Sequence, residues 1–150
     1  MAYKGKKNER TLLEIILVGI FKAIWFLLQL PFKGLKVKTK GLNQNERGEI
    51  RTSREEIFQT METGSEADLK QAVYEADKLV DHILKLKGYA GQTFADRLRS
   101  AESYIEKSVY NSIWEGHKIR NTLAHETKHS LTKSDYKYAI KSLIRYLDNY

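Results

Sequence analysis

The sequence has no cysteine and only one proline in 150 residues. Without cysteine, a disulfide framework, a thiolate-held zinc site and thiol catalysis are all excluded, and the composition is consistent with a reducing compartment. The lone proline, Pro31, stands at the end of a long apolar run. Strand-like alternation of useful length is missing, which excludes a sheet-based core. There is no glycine-rich phosphate loop, so nucleotide-driven chemistry has no support and no cofactor is expected. Ser108, Ser112 and Asp148 make no arrangement of the Ser-His-Asp kind.

What is present begins with an ordinary globular balance, 41% apolar and 30% charged, over a length of about one domain. Against 26 basic side chains stand 19 acidic ones, a net of +7. Taken whole, that excess suggests binding to nucleic acid or to an anionic membrane. Its location separates the two. Residues 1–40 hold nine basic and two acidic side chains, a net of +7, and residues 41–150 hold seventeen of each, a net of zero. The cationic excess therefore surrounds the apolar run, where it suits lipid headgroups.

That run, residues 12–30, has nineteen positions, of which fifteen are apolar, one is Gly19 and only Glu14, Lys22 and Gln29 are polar. As a helix it reaches roughly 28 Å, close to the hydrocarbon thickness of a bilayer. Leu12, Ile16, Ile20, Ile24, Trp25 and Leu28 carry the expected membrane contact. Lys4, Lys6, Lys7 and Arg10 flank the run on one side, and Lys33, Lys36, Lys38 and Lys40 on the other. A lysine near the centre costs about 2.5–3.5 kcal/mol on insertion, which the surrounding Leu, Ile and Phe outweigh. The three polar positions share a sector of about 80° on a helical wheel, so the segment suits an interfacial helix as well as a spanning one. A buried helix of the folded domain is the third reading, and it would need more protein around it than the remaining residues supply. No small-residue cleavage site follows, so the anchor is expected to stay attached. With four basic residues on each side, the positive-inside rule has little bias to act on.

Three segments follow from this: a basic N-terminus and anchor helix over 1–31, a basic and polar linker over 32–48, and a helical bundle over 49–150. The expected fold class is all-α, an antiparallel bundle of about five helices preceded by one membrane helix. The first bundle helix is expected from about Glu49 to Thr63, ended by Gly64. Ser65 and Asp68 form a near capping box for a second helix, whose Leu69, Val73, Ala76, Val80, Ile83 and Leu84 keep helical spacing. After the glycine-containing turn 88–92, Thr93 caps a third helix carrying Phe94, Leu98, Ala101, Tyr104 and Ile105. A break is expected near 108–111, then a fourth helix with Tyr110, Ile113, Trp114, His117 and Leu123. Thr132 and Asp135 open a fifth.

The densest functional side chains lie between Trp114 and His129, where three of the four histidines fall. His117, Asn121 and His125 recur every four residues and so share one helix face, with Arg120 beside them. The stretch Arg120-Asn121-Thr122-Leu123-Ala124-His125 resembles the Arg, polar residue, three residues, His motif of the HEPN superfamily, placed late in the penultimate helix of a small bundle. The resemblance covers roughly residues 49–150, with Trp114 upstream and an amphipathic final helix as its context. A looser likeness, to small bacterial proteins with an apolar N-terminal helix, rests on Glu75-Ala76-Asp77-Lys78-Leu79, Gly88-Tyr89, Trp114 and His117-Lys118, and names no activity. What the HEPN resemblance implies is a dimeric fold that cleaves RNA without metal, in a superfamily with many members that bind and do not cut.

Elementary chemistry agrees in part. Metal-free RNA cleavage needs a base for the 2′-hydroxyl, an acid for the departing 5′-oxygen and a cation for charge on phosphorus. His125 suits the proton roles, Arg120 the phosphorane oxygens, and Asn121 the orientation of either, with His117 and Trp114 in support. One histidine cannot be base and acid at once, so a homodimer placing two motifs face to face is required. The expected partners are a lipid bilayer, a second copy and RNA or a protein, at the cytoplasmic membrane, with the bundle facing the cytoplasm. The bland alternative pairs His117, Asn121 and His125 with acidic residues of neighbouring helices, leaving a binding or scaffold module. The zero net charge of residues 41–150 favours that alternative. A minor alternative is a zinc protease, since His125-Glu126-Thr127-Lys128-His129 fits its two-histidine pattern. Lys128 beside a divalent ion and the lack of an obvious third ligand oppose it, so no metal is expected. His82 reads as a core or boundary histidine. Tyr104, Tyr110, Tyr136, Tyr138 and Tyr146 read as bundle core and dimer surface.

Overall fold

The computed structural model describes residues 39–125 and 131–150. The expected anchor, with Leu12, Ile16, Ile20, Ile24, Trp25 and Leu28, lies outside the described residues, as does the turn 126–130. Among the described residues no helix is long and apolar enough to cross a membrane. They fall within one compact unit, Val37–Tyr150.

The described residues form five α-helices and no strand: α1 Gln44–Thr63, α2 Glu66–Leu86, α3 Phe94–Ser100, α4 Lys107–Ala124 and α5 Lys133–Ile144. Short 3₁₀ turns occupy Glu102–Tyr104 and Arg145–Asn149. Four helices start on a capping box, in which a side chain accepts from the N3 amide and the N3 carboxylate accepts from the cap amide. The pairs are Asn43 with Glu46, Ser65 with Asp68, Thr93 with Asp96 and Thr132 with Asp135. The first of these moves the start of α1 to Gln44, ahead of the expected Glu49. Asn43 Oδ1 accepts from the Glu46 amide at 2.9 Å and Glu46 Oε2 accepts from the Asn43 amide at 2.7 Å, so part of the expected linker is helical.

The break before α4 also differs from expectation. It falls over residues 101–106, because α3 runs out into the 3₁₀ turn and Ile105 is extended. Glu106 then caps α4 by accepting from the amides of Ser108 and Val109. Tyr104, expected on the apolar stripe, is consequently exposed.

α2 is the central helix and touches each of the other four. Its Val73, Ala76, Val80, Ile83 and Leu84 are fully buried. Its end is a Schellman motif: the Tyr89 amide donates to Leu84 O at 3.1 Å and the Gly88 amide to Lys85 O at 2.9 Å. Gly88 takes φ 82°, a conformation open to glycine at little cost. The four longer helices, α1, α2, α4 and α5, alternate in direction. The Lys40 amide, ahead of α1, donates to Lys87 O at the end of α2. Asp77 of α2 meets His117 of α4, and Tyr74, a turn earlier, meets Arg120, a turn later. Ser112 Oγ donates to Ser142 O, and Arg145 donates to Ser108 Oγ, which sets α4 against α5 in the same antiparallel sense. Of the five tyrosines expected in core or surface, Tyr110, Tyr136 and Tyr146 are buried, and Tyr104 and Tyr138 are exposed.

Candidate functional site

α4 carries the motif along a face that passes from buried to exposed. His117 is buried, Asn121 and Arg120 are half-buried, and His125, which caps the helix at φ −110° and ψ 14°, is exposed. The apolar positions Ile113, Gly116 and the neighbouring Tyr110 press the first half of α4 into the core, and the motif occupies the half that emerges.

His117 is held on several sides. Its Nδ1 lies 2.7 Å from Asp77 Oδ1. An ionised carboxylate only accepts, so Nδ1–H is the donor. Phe94 stacks on the imidazole at 4.0 Å between centroids and 7° between planes. Trp114 meets it edge-on at 6.0 Å and 72°. The indole in turn lies edge-on to Tyr110 and under the Arg99 guanidinium, 5.6 Å from its ring. Among the described residues no hydroxyl is hydrogen-bonded to His117.

Asp77 is only 7% exposed, and a carboxylate so placed needs partners to offset its desolvation. Its second oxygen, Oδ2, faces Arg120 Nε at 3.6 Å. That distance is an ion pair and longer than a hydrogen bond, and Nε is buried with no hydrogen-bond partner. Arg120 Nη1 donates to Asn121 Oδ1 at 3.1 Å, and the guanidinium carbon sits 5.3 Å from the Tyr74 ring centroid. Beside this cluster is an open hollow of about 460 Å³, lined by Tyr74, Asp77, Lys78, Phe94, His117 and Arg120 among others.

The structure thus brings together Arg120, Asn121, His117 and Trp114, and places His125 exposed at the helix end, where its amide donates to Asn121 O. The bland expectation for His117 is met, since an acidic residue of a neighbouring helix pairs with it. Asp77, Tyr74 and Phe94 were not singled out as site residues in the sequence. Asp77 had a signal: it interrupts the apolar stripe of α2 four residues after Val73, and a carboxylate on a buried stripe requires a buried cation or donor.

The other hollows carry less chemistry. A groove of about 660 Å³ lies between α1 and α2, but its Asp68 and Asp81 are committed to Ser65 and to Arg97 with Lys85. His82, expected as a core or boundary histidine, is exposed and lines that groove. A cleft of about 240 Å³ is lined by Lys87, Tyr104, Tyr146 and Tyr150. Burial pushes nearby Tyr89 up to about 12 and raises Tyr146 as well, so these phenols stay protonated at neutral pH.

In the zinc-protease pattern His125 ends α4, while Glu126 and His129 lie outside the described residues. Among the described residues no group of three or more His, Cys, Asp or Glu is arranged to hold a metal ion. Of the lysines near the motif in sequence, Lys118 is exposed and paired with Glu115, Lys133 is exposed, Lys137 is half-buried and Lys128 lies outside the described residues. Compared with protein-family models, with curated proteins and with solved structures, the chain matches none.

Proposed function

We propose that the chain is a membrane-tethered, HEPN-like domain that cuts RNA without a metal, using Arg120, Asn121 and His125 of two copies brought together across a two-fold axis. The observation that carries this reading is the state of Arg120. Its guanidinium is half-exposed at the emerging end of α4, bonded to Asn121, with a buried Nε that no protein group satisfies. A phosphate oxygen supplies a charged acceptor for the exposed edge of that guanidinium, on the side away from Nε.

In the reaction His125 removes the proton of a 2′-hydroxyl, whose oxygen attacks the adjacent phosphorus. The bond to the 5′-oxygen breaks, and the partner subunit's His125 returns a proton to that oxygen. Arg120 meets the added charge on the phosphorane oxygens. The products are a 2′,3′-cyclic phosphate and a 5′-hydroxyl, and the exposure of His125 leaves it accessible to an RNA strand.

Residues 37–150, the compact unit, should therefore cut single-stranded RNA in EDTA and leave cyclic phosphate ends. Full cutting by His125→Ala would refute the assigned roles. A second reading, a dimerisation or binding module that does not cut, is favoured by the Asp77 carboxylate, which neutralises part of the Arg120 charge at 3.6 Å. On that reading the same protein folds and dimerises with no cleavage, and Arg120→Ala alters stability or partner binding only. Tethering rests on the sequence of residues 12–30: the full chain should float with anionic phospholipid vesicles, and residues 37–150 should not.

A further inference from the structure

We propose that Asp77 is a positioning residue for Arg120, and that His117 is the part that fixes Asp77. This rests on the reading of Arg120 as the phosphate-facing group and adds a residue from a different helix to its site.

The geometry runs in one direction. Phe94 and Trp114 clamp the imidazole of His117 on a face and an edge, so the ring has one orientation. The ring donates from Nδ1 to Asp77 Oδ1 at 2.7 Å, which fixes the rotation of the carboxylate. The carboxylate then has one oxygen left, and Oδ2 lies 3.6 Å from Arg120 Nε. Tyr74, one helical turn from Asp77, covers the guanidinium at 5.3 Å. Held by its Nε side and by Nη1 on Asn121, the guanidinium keeps one rotamer with its remaining edge toward the hollow.

Two features separate this from an ordinary buried ion pair. A pair built for stability alone would close to hydrogen-bond distance, whereas Nε is left without a hydrogen bond. The carboxylate is also shared: it is saturated on the histidine side and slack on the arginine side. Such an arrangement orients an arginine without consuming it, which is what a group reserved for a ligand requires.

The test uses the purified full chain and reads Arg120 directly, through the side-chain Hε–Nε correlation in NMR, assigned by its loss in Arg120→Lys. In Asp77→Asn, an amide cannot present acceptors to both His117 and Arg120. The Arg120 signal is expected to move to the position of a free arginine or vanish by exchange. A signal unmoved in folded Asp77→Asn overturns the proposal. Should Asp77→Asn not fold, His117→Gln, which leaves the carboxylate in place but unanchored, is expected to move the same signal, and no movement there overturns it equally. Where RNA is cut, Asp77→Asn is expected to lower kcat by about tenfold with KM within about twofold, because a misaligned arginine loses transition-state contact first. A responsive Arg120 signal in a chain that cuts no RNA removes the nuclease reading and leaves the positioning intact.

Discussion

Gly116 of α4 lies so close to Leu143 of α5 that a β-carbon at position 116 would stand 2.6 Å from Leu143 Cγ and 2.9 Å from the backbone oxygen of Ala139. The two helices meet at a distance that only glycine allows. Gly116→Ala gains about 1 kcal/mol of helix propensity, yet the clash with a backbone oxygen cannot be relieved by rotating a side chain. We expect a net loss of about 1–3 kcal/mol, the range for overpacked cores, measured by urea unfolding. An unchanged or raised midpoint would show that α4 and α5 can separate freely.

The capping boxes give stability an acid limb. Asp68, Asp96 and Asp135 are held below their ordinary 3.8, first by the hydroxyls of Ser65, Thr93 and Thr132 and then by the backbone amides of the same residues. A carboxylate with a lowered folded-state pKa contributes fully above its unfolded value and loses that contribution as pH falls through the folded one. Thermal unfolding followed by circular dichroism should therefore lose stability below about pH 4. The triple Asn variant at the three positions should have a flatter acid limb. An acid limb identical in the two proteins would contradict the boxes.

Arg97 is buried and donates to both oxygens of Asp81, at 2.7 and 3.0 Å, and to Gly91 O at 2.8 Å. Arg97→Ala leaves the carboxylate to Lys85 alone, which keeps the loss below that of an uncompensated buried charge. We expect about 2–3 kcal/mol in the unfolding free energy. A loss under about 0.5 kcal/mol would place the pair with surface salt bridges.

His125→Ala should separate activity from stability. The residue is exposed at the helix end, so its removal should shift unfolding by no more than about 0.5 kcal/mol, whereas Leu98→Ala in the core should cost about 2–5 kcal/mol. RNA cleavage lost in His125→Ala at unchanged stability is the expected result. A His125→Ala protein that unfolds with Leu98→Ala would mean the imidazole is structural.

Much of the bundle was legible because its helices announce themselves locally. Ser65, Thr93 and Thr132 each precede an aspartate by three residues, and the apolar stripe of α2 is nearly unbroken. The start of α4 was not legible, since Glu106 is an uncommon cap and works here only because Ser108 and Val109 offer their amides to its carboxylate. Asn43 was hidden for a different reason, as its polar neighbours look like linker. In the site, the grouping of Arg120 with Asn121 followed from adjacency. The link to Asp77 depends on how α2 and α4 cross, and helical periodicity within one segment does not encode it.

The turn between α2 and α3 has a role beyond reversing the chain. Gly88 closes α2, Arg97 ties down Gly91, and the next element begins with Phe94, the ring on which His117 rests. The seating of the imidazole is therefore gauged by a stretch of loop well removed in sequence from the motif it serves. Outer faces such as that of α1 can drift in composition at little expense to the site. One residue inserted between Gly88 and Thr93 would leave every motif residue in place and still detune the arginine.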